Sequence, residues 1–344
     1  MKVALVSPYD YLYPGGVNAH IAHLDENFRQ MGHSVKIIAP SSSDKKAMVA
    51  DNVLVVGRPV PIPASGSIAR ITVSLRLSGQ VKQILDEEQF DIVHLHEPLV
   101  PALPITILRF SKSINVGTFH AYADRNRGYI YGKRILKRWF RRLDGKIAVS
   151  RPAMEFVRQY FPGYYNIIPN GIEYEHFSAD VPPLPEFSDG KLNVLFVGRM
   201  EKRKGLKYLL RAYAQVKRRF PACRLIIVGP DGGLREKYEK IVEKGGIEDV
   251  VFTGYVPYAV LPRYYRSAHV FCSPATGRES FGIVLLEAMA AGKPIVASNI
   301  EGYASVVRHG VEGLLLEPKK VEALAEALIG LFADPDLRES TAEQ

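Results

Sequence analysis

Short, almost unbroken apolar runs recur along this chain, and between them lie longer stretches whose apolar positions repeat three and four residues apart. The first pattern predicts strands buried on both faces, the second amphipathic helices that cover them. Strands are expected at 3–7, 34–39, 92–95, 116–119 and 146–149, and helices at 17–31, 78–87, 102–110 and 130–143. A Pro-rich piece at 58–67 reads as irregular. The Pro-rich segment 180–185 cannot form a helix and is the best linker. After it the alternation restarts, with strands at 192–197, 224–228, 251–252, 270–272 and 295–297. Helices are expected at 206–219, 234–244 and 261–266, then from a loop-to-helix corner near Glu279, and finally from Val321. This order predicts an α/β chain of two doubly wound, Rossmann-like domains, 1–175 and 176–344, with ligands at the carboxyl ends of strands facing across an inter-domain cleft.

Composition narrows the class. With 344 residues, 47% hydrophobic and 24% charged, the chain is a soluble globular protein rather than a disordered one. Cys223 and Cys272 both lie in apolar strand-like runs, as buried thiols of a reducing compartment do, and lack metal-ligand spacing. The N-terminal apolar run is too short for a signal peptide, and no run approaches the roughly 18 apolar residues of a membrane span. A cytoplasmic protein, or one lying on the inner face of the cell membrane, is expected. The net charge of +9 is uneven: residues 1–175 hold 22 basic and 15 acidic side chains, and 125–142 alone hold eight basic ones and no acid. Such a patch suits an anionic surface or ligand. Nucleic acid is one such partner, but that reading has no use for the glutamates described next.

The stretch Arg278-Glu279-Ser280-Phe281-Gly282-Ile283-Val284-Leu285-Leu286-Glu287 follows the 270–272 strand and a Pro274-Ala275-Thr276-Gly277 loop, and its helix stops at Gly292. With Glu279 at the corner and Glu287 two turns deeper, the carboxylates are expected about 12 Å apart along the axis. That is too far for an acid/base pair on one bond, and suits the two ends of one elongated ligand. The N–H groups of Ser280, Phe281, Gly282 and Ile283 between them are expected to form a helix N-terminus, a site for phosphate. Alone, either glutamate reads as a helix cap or a solvated residue. Together, in the setting E-S-F-G-I-V-L-L-E-A-M-A-A-G, they resemble the signature of the retaining glycosyltransferases of family 4, which have the two-domain GT-B fold.

Other motifs fit that resemblance. Pro14-Gly15-Gly16-Val17 opens the first helix, and its glycines permit a tight turn and close approach to phosphate. The resemblance makes Gly15 and Gly16 a donor-pyrophosphate loop. In Gly198-Arg199-Met200-Glu201-Lys202-Arg203-Lys204-Gly205, Arg199 and Lys204 flank a strand-to-helix turn, where two cations neutralise a diphosphate leaving group. Lys202 and Arg203 suit a solvated basic turn. The match to G-R-x-x-x-x-K-G implies donor-phosphate cations and no tightly bound metal. His120 ends Thr118-Phe119-His120 and by resemblance contacts the transferred sugar. His94 and His96 lack an evident third ligand and read as structural.

The chain resembles throughout the actinobacterial phosphatidylinositol α-mannosyltransferases, in Pro8-Tyr9, Pro61-Ile62-Pro63, Gly66-Ser67, Ala69-Arg70, His96-Glu97-Pro98 and Ile168-Pro169-Asn170-Gly171. The resemblance implies transfer of mannose from GDP-mannose to phosphatidylinositol at a membrane surface. His120, Arg199, Lys204 and Glu279 would be catalytic. Tyr9, Asn18, Ser65, Arg70 and Arg125 would line the acceptor side, with Arg70 or Arg125 on a phosphate head group. A UDP-sugar with another glycolipid, inositol phosphate or polysaccharide precursor is the alternative. Asn18 and Ser65 depart from the glutamine and asparagine of that group. The 78–87 helix carries only Lys82 in place of a dense basic cluster. Lys133, Arg134, Lys137, Arg138, Arg141 and Arg142 decorate instead the helix holding Ile135, Leu136, Trp139 and Phe140, either a lipid-facing helix or a core helix with a solvated face. The family's closing helix, which crosses back to the first domain, is expected to begin near Asp334-Pro335. With the chain ending at Gln344, either the sequence is shortened or the domains are less firmly tied.

Overall fold

The computed structural model describes residues 1–43, 50–64, 67–74, 76–123 and 125–342, which divide into two compact units, Met1–Gly171 and Ile172–Gln344. Each is built on one parallel sheet whose central strands are mostly apolar and buried, as strands covered by helices on both faces are, while the edge strand Asn166–Ile167 is exposed.

The first unit contains β1 (Lys2–Val6), α1 (Gly16–Gln30), β2 (Ser34–Ala39), β3 (Val53–Val55), β4 (Val60–Ala64), β5 (Ser67–Ile71), α2 (Ser78–Glu88), β6 (Ile92–His96), α3 (Leu103–Phe110), β7 (Ile114–Phe119), α4 (Arg127–Phe140), β8 (Gly145–Ala148), α5 (Arg151–Arg158) and β9 (Asn166–Ile167). Its seven-stranded sheet runs β3-β2-β1-β6-β7-β8-β9, so the winding reverses between β1 and β6. One face packs Val3, Leu5, Ile21 and Ile37, and the other Val93, Leu95, Ile107 and Phe119. The expected irregular piece at 58–67 is instead half of an antiparallel hairpin, in which Pro61 pairs with Arg70 and Pro63 with Ile68. Proline is tolerated there because alternate residues of a two-stranded edge owe no N–H to a partner.

The second unit contains α6 (Tyr174–Ser178), β10 (Leu192–Val197), α7 (Leu206–Arg219), β11 (Cys223–Val228), α8 (Arg235–Lys244), β12 (Val250–Gly254), α9 (Leu261–Ser267), β13 (Val270–Ser273), α10 (Ile283–Ala290), β14 (Ile295–Ser298), α11 (Glu301–Ala304), β15 (Gly313–Leu316), α12 (Val321–Ala333) and α13 (Pro335–Ala342). Its six-stranded sheet runs β12-β11-β10-β13-β14-β15 and reverses between β10 and β13. In doubly wound sheets such a reversal opens a crevice at the carboxyl ends of the strands, where ligands bind. The predicted two-domain α/β architecture is therefore the observed one. Strands β3, β9 and β15 and helices α5, α6 and α11 had no counterpart in the expected pattern.

Candidate active site

In the second unit the crevice between β10 and β13 is lined by an alternating chain of charge. Arg199 Nη1 lies 3.1 Å from Glu201, whose other oxygen accepts from Arg203 Nε at 2.9 Å. Arg203 Nη1 then donates to Glu279, and Lys204 Nζ reaches the same carboxylate oxygen at 2.7 Å. All five side chains are at most 24% exposed, so three cations and two carboxylates leave one positive charge in excess in a largely dehydrated place. Burial works to raise the Glu279 carboxyl, but Lys204 and Arg203 override it and hold the group below its usual range. Lys204 is lowered by burial, with Glu279 opposing. Arg203 is therefore no solvated turn residue. The short helical turn Lys202–Lys204 leaves Lys202 exposed and swings Arg203 inward.

Glycine lets these pieces meet. Gly205 has φ +74°, and a Cβ there would lie 1.8 Å from the Pro274 carbonyl oxygen, so no other residue brings the β10–α7 turn this close to the loop after β13. Thr276 N–H donates to Arg203 O at 2.7 Å, stitching the same loops. On the other side Gly302 admits the Glu279 carbonyl, which a Cβ would meet at 2.0 Å.

The helix starts later than its sequence suggested. Gly282, with φ +123°, is the cap and Ile283 the first helical residue, so Ser280 and Phe281 belong to the loop and the 12 Å axial estimate, which placed Glu279 on the helix, does not apply. Only the first-turn N–H groups from Ile283 onward form the helix N-terminus. Glu287 is not solvated either. It is 8% exposed, and Tyr265 Oη donates to it at 2.7 Å. Burial pushes its carboxyl up to about 7, against the lowering pull of the Tyr265 hydrogen bond and of Lys204. Lys204 thus acts on both glutamates.

In the first unit, the reversal between β1 and β6 gathers other predicted residues. Gly15 caps α1 in extended backbone and Gly16 begins it, with the Gly15 Cα facing open space. Asn18, one turn on, is buried and fully engaged: its Oδ1 accepts from Ser7 Oγ at 2.7 Å and its Nδ2 donates to Asp10 O and Tyr13 O. Its amide moulds the loop that carries Tyr9. The β4–β5 hairpin reaches this loop through the Tyr9–Ile71 bridge, setting the Arg70 guanidinium 4.4 Å from the Tyr13 ring. Arg125 is exposed just before α4. Ser65 lies outside the described residues.

His120 follows β7 and stands beside His96, the last residue of β6, with Nε2 and Nδ1 2.9 Å apart. The buried Glu97 accepts the N–H groups of His120 and Ala121 at 2.6 and 2.7 Å and so fixes the turn that presents His120. The imidazole His20, on α1, was not singled out in the sequence, since nothing local places a mid-helix histidine against two strand ends. Its ring meets those of His96 and His120 edge-on at 5.5 and 5.4 Å. Ring nitrogens of His20, His96 and His120 lie within 4.8 Å of one another.

Helix α4 splits its apolar residues between two surroundings. Tyr129 and Phe140 are buried, with Leu136 and Trp139 packed against the core. Tyr131 and Ile135 are 85% and 70% exposed, on one face with Arg127, Arg134 and Arg138. Of the two readings left open for this helix, the core one fits Trp139 and Phe140, which pack in and against the core. No helix among the described residues is long and apolar enough to cross a membrane.

Residues 14–176 match the family described as Glycosyltransferase Family 4, and residues 183–344 the family described as Glycosyl transferases group 1. The chain is 36% identical over 342 residues to the phosphatidyl-myo-inositol mannosyltransferase of Mycobacterium leprae, covering 98% of this chain and 89% of that protein. It is 37% identical over 339 residues to that of Mycolicibacterium smegmatis, covering 98% and 86%. Among solved structures, Anabaena HepE in complex with UDP and glucose is similar with a TM-score of 0.79 at 21% identity, covering 99% of this chain and 92% of that one. Sucrose-phosphate synthase from Thermosynechococcus elongatus follows with a TM-score of 0.77 at 23% identity and the same coverage.

Proposed function

Because the chain belongs to glycosyltransferase family 4 and has the GT-B fold, we propose that it moves mannose from GDP-mannose to phosphatidylinositol with retention of configuration. The observation that carries the donor half is the buried Arg199–Glu201–Arg203–Glu279–Lys204 chain, whose one uncompensated positive charge suits a diphosphate. In this reading Arg199, Lys204 and the α10 N-terminus at Ile283 stabilise the charge that grows as the bond from the anomeric carbon to phosphate breaks. Ser280, Phe281 and Gly282 lend loop backbone to the donor, Glu279 a sugar hydroxyl contact, and Glu287 a contact to its far end. Gly15 and Gly16 serve the pyrophosphate end and His120 the transferred sugar. The acceptor hydroxyl forms its bond on the face the phosphate leaves and passes its proton to that phosphate, so no protein base is needed.

The acceptor half rests on the names of the relatives at 36–37% identity. Tyr9, Asn18, Arg70 and Arg125 are assigned to the acceptor, the arginines to its phosphate. The exposed basic and apolar face of α4 is assigned to the anionic membrane that presents such a lipid. Thermal stabilisation by GDP and by UDP, each at about 100 times its dissociation constant, tests the donor, since a ligand of the folded state then adds about 2.7 kcal/mol. Stabilisation by GDP alone, followed by mannose transfer to phosphatidylinositol liposomes, is the expected outcome. Stabilisation by UDP alone, the nucleotide held by HepE, overturns the mannose donor.

A further inference from the structure

The turn after β6 is strained, and a buried carboxylate sits at its centre. Glu97 has φ +51°, left-handed backbone that side chains rarely adopt. It also precedes Pro98, and a proline ordinarily drives the residue before it to extended backbone. Such strain persists where neighbouring contacts over-determine it. Here the contacts run to β7 and the residues just after it. Glu97 N–H donates to Thr118 O at 2.8 Å, and its Oε1 accepts from both His120 N–H and Ala121 N–H. Pro98 lies so close over Gly117 that a Cβ there would meet its Cγ at 2.8 Å. Glu97 is 3% exposed, and burial raises its carboxyl above the usual carboxylate range against the pull of the two N–H groups.

We propose that Glu97 is a positioning residue for glycosyl transfer, setting the direction in which His120 leaves β7 through its reach and its acceptor oxygen rather than through its charge. The inference rests on the reading that gives His120 to the transferred sugar. Beyond Phe119 the sheet no longer dictates where the backbone N–H groups point, and buried ones need a partner. One carboxylate oxygen accepting two successive N–H groups selects the single course in which both converge on it, and the imidazole follows that course. The side chain has to span neighbouring strands, which lie about 4.8 Å apart. Aspartate is shorter by one carbon–carbon bond, about 1.5 Å, and falls short from the same backbone. Glutamine has the same reach and the same acceptor oxygen. A reacting group displaced by about 1 Å costs on the order of 100-fold in rate, so losing the hold on His120 should lower kcat. The donor KM should move little, because the donor's phosphates are assigned chiefly to the cations of the second unit.

The test compares Glu97→Gln, Glu97→Asp and Glu97→Gly in the whole chain, each checked for folding by thermal unfolding. Amide exchange at His120 and Ala121 should be as slow in the Gln variant as in the parent, and at least about tenfold faster in the Asp and Gly variants. Transfer from GDP-mannose to phosphatidylinositol liposomes should follow the same order. We expect kcat within about threefold of the parent for Gln and at least about 30-fold lower for Asp and Gly, with the donor KM within about twofold throughout. Glycine relieves the strained φ without supplying an acceptor, so a Gly variant as active as the parent overturns the proposal. An Asp variant that outperforms Gln overturns it too, since the charge would then matter more than the reach. If the parent itself moves no mannose, the function proposed above fails, while the exchange rates, which need no substrate, still support or refute the hold of Glu97 on His120.

Discussion

Replacing Glu287 by glutamine should stabilise the protein at alkaline pH and leave it almost unchanged at pH 5. The folded carboxyl titrates at about 7 because it is buried beside Tyr265, whereas in the unfolded chain it returns to its ordinary value near 4.5. Between those values the folded state holds a proton that the unfolded state has released. Stability therefore falls as pH rises through the window from 4.5 to about 7, and the deficit is complete above it. At about 1.36 kcal/mol per pH unit, the deficit reaches about 3 kcal/mol. Glutamine keeps the shape and still accepts from Tyr265 Oη, but cannot ionise. Calorimetry of both proteins at pH 5, 6, 7 and 8 should show melting curves that separate with pH. For a unit of about 150–250 residues the variant should melt about 6–12 °C higher at pH 8. Melting temperatures that stay parallel across that range would refute the argument, since they would mean that Glu287 is ionised and satisfied in the folded state. If the proposed donor contact holds, the same variant should bind its nucleotide more weakly despite being more stable.

Three further outcomes are expected. Glu279→Ala leaves Arg203 and Lys204 without their shared counter-charge, so it should cost about 3–5 kcal/mol in denaturant titrations and at least 100-fold in transfer, and unchanged activity would remove Glu279 from the site. Gly302→Ala places a Cβ 2.0 Å from the Glu279 carbonyl oxygen and should cost about 1–3 kcal/mol of stability together with a lower kcat/KM; a variant kinetically equal to the parent would show that the loop yields freely. Arg134→Glu with Arg138→Glu reverses charge on the exposed face of α4 and should weaken sedimentation with anionic liposomes without changing the circular dichroism. Retained liposome binding would exclude that face as the membrane contact.

The sheets were legible because strands covered on both sides have few polar positions to blur them: Leu192–Val197 is buried along nearly its whole length and Asn193 is its one polar residue. Strands of two to four residues, such as Val53–Val55 and Gly313–Leu316, are too short to show a period, and the prolines at 61 and 63 concealed a hairpin. Helix α5 was signposted, since Ser150 caps it and accepts from Ala153 N–H at 3.1 Å, with Pro152 in its first turn. The site divides in the same way. Arg199, Lys204, Glu279 and Glu287 stood out because the motifs that hold them resemble those of the family. Arg203 sits in a run of basic residues whose inward and outward members only the backbone turn distinguishes. His20 becomes a neighbour of His96 and His120 only once α1 lies across the ends of β6 and β7.

The contact at Gly205 has a mechanical consequence. The β10–α7 turn is fastened to the loop after β13 at three points: the Gly205 Cα against Pro274 O, the Thr276 amide on Arg203 O, and the Glu279 carboxylate on Arg203 and Lys204. Neither loop can swing outward while the other stays, so the two move as one hinged latch. Amide exchange at Thr276 should then report the opening of both loops in a single event, at a rate that loosening any one of the fastenings would raise at the other two.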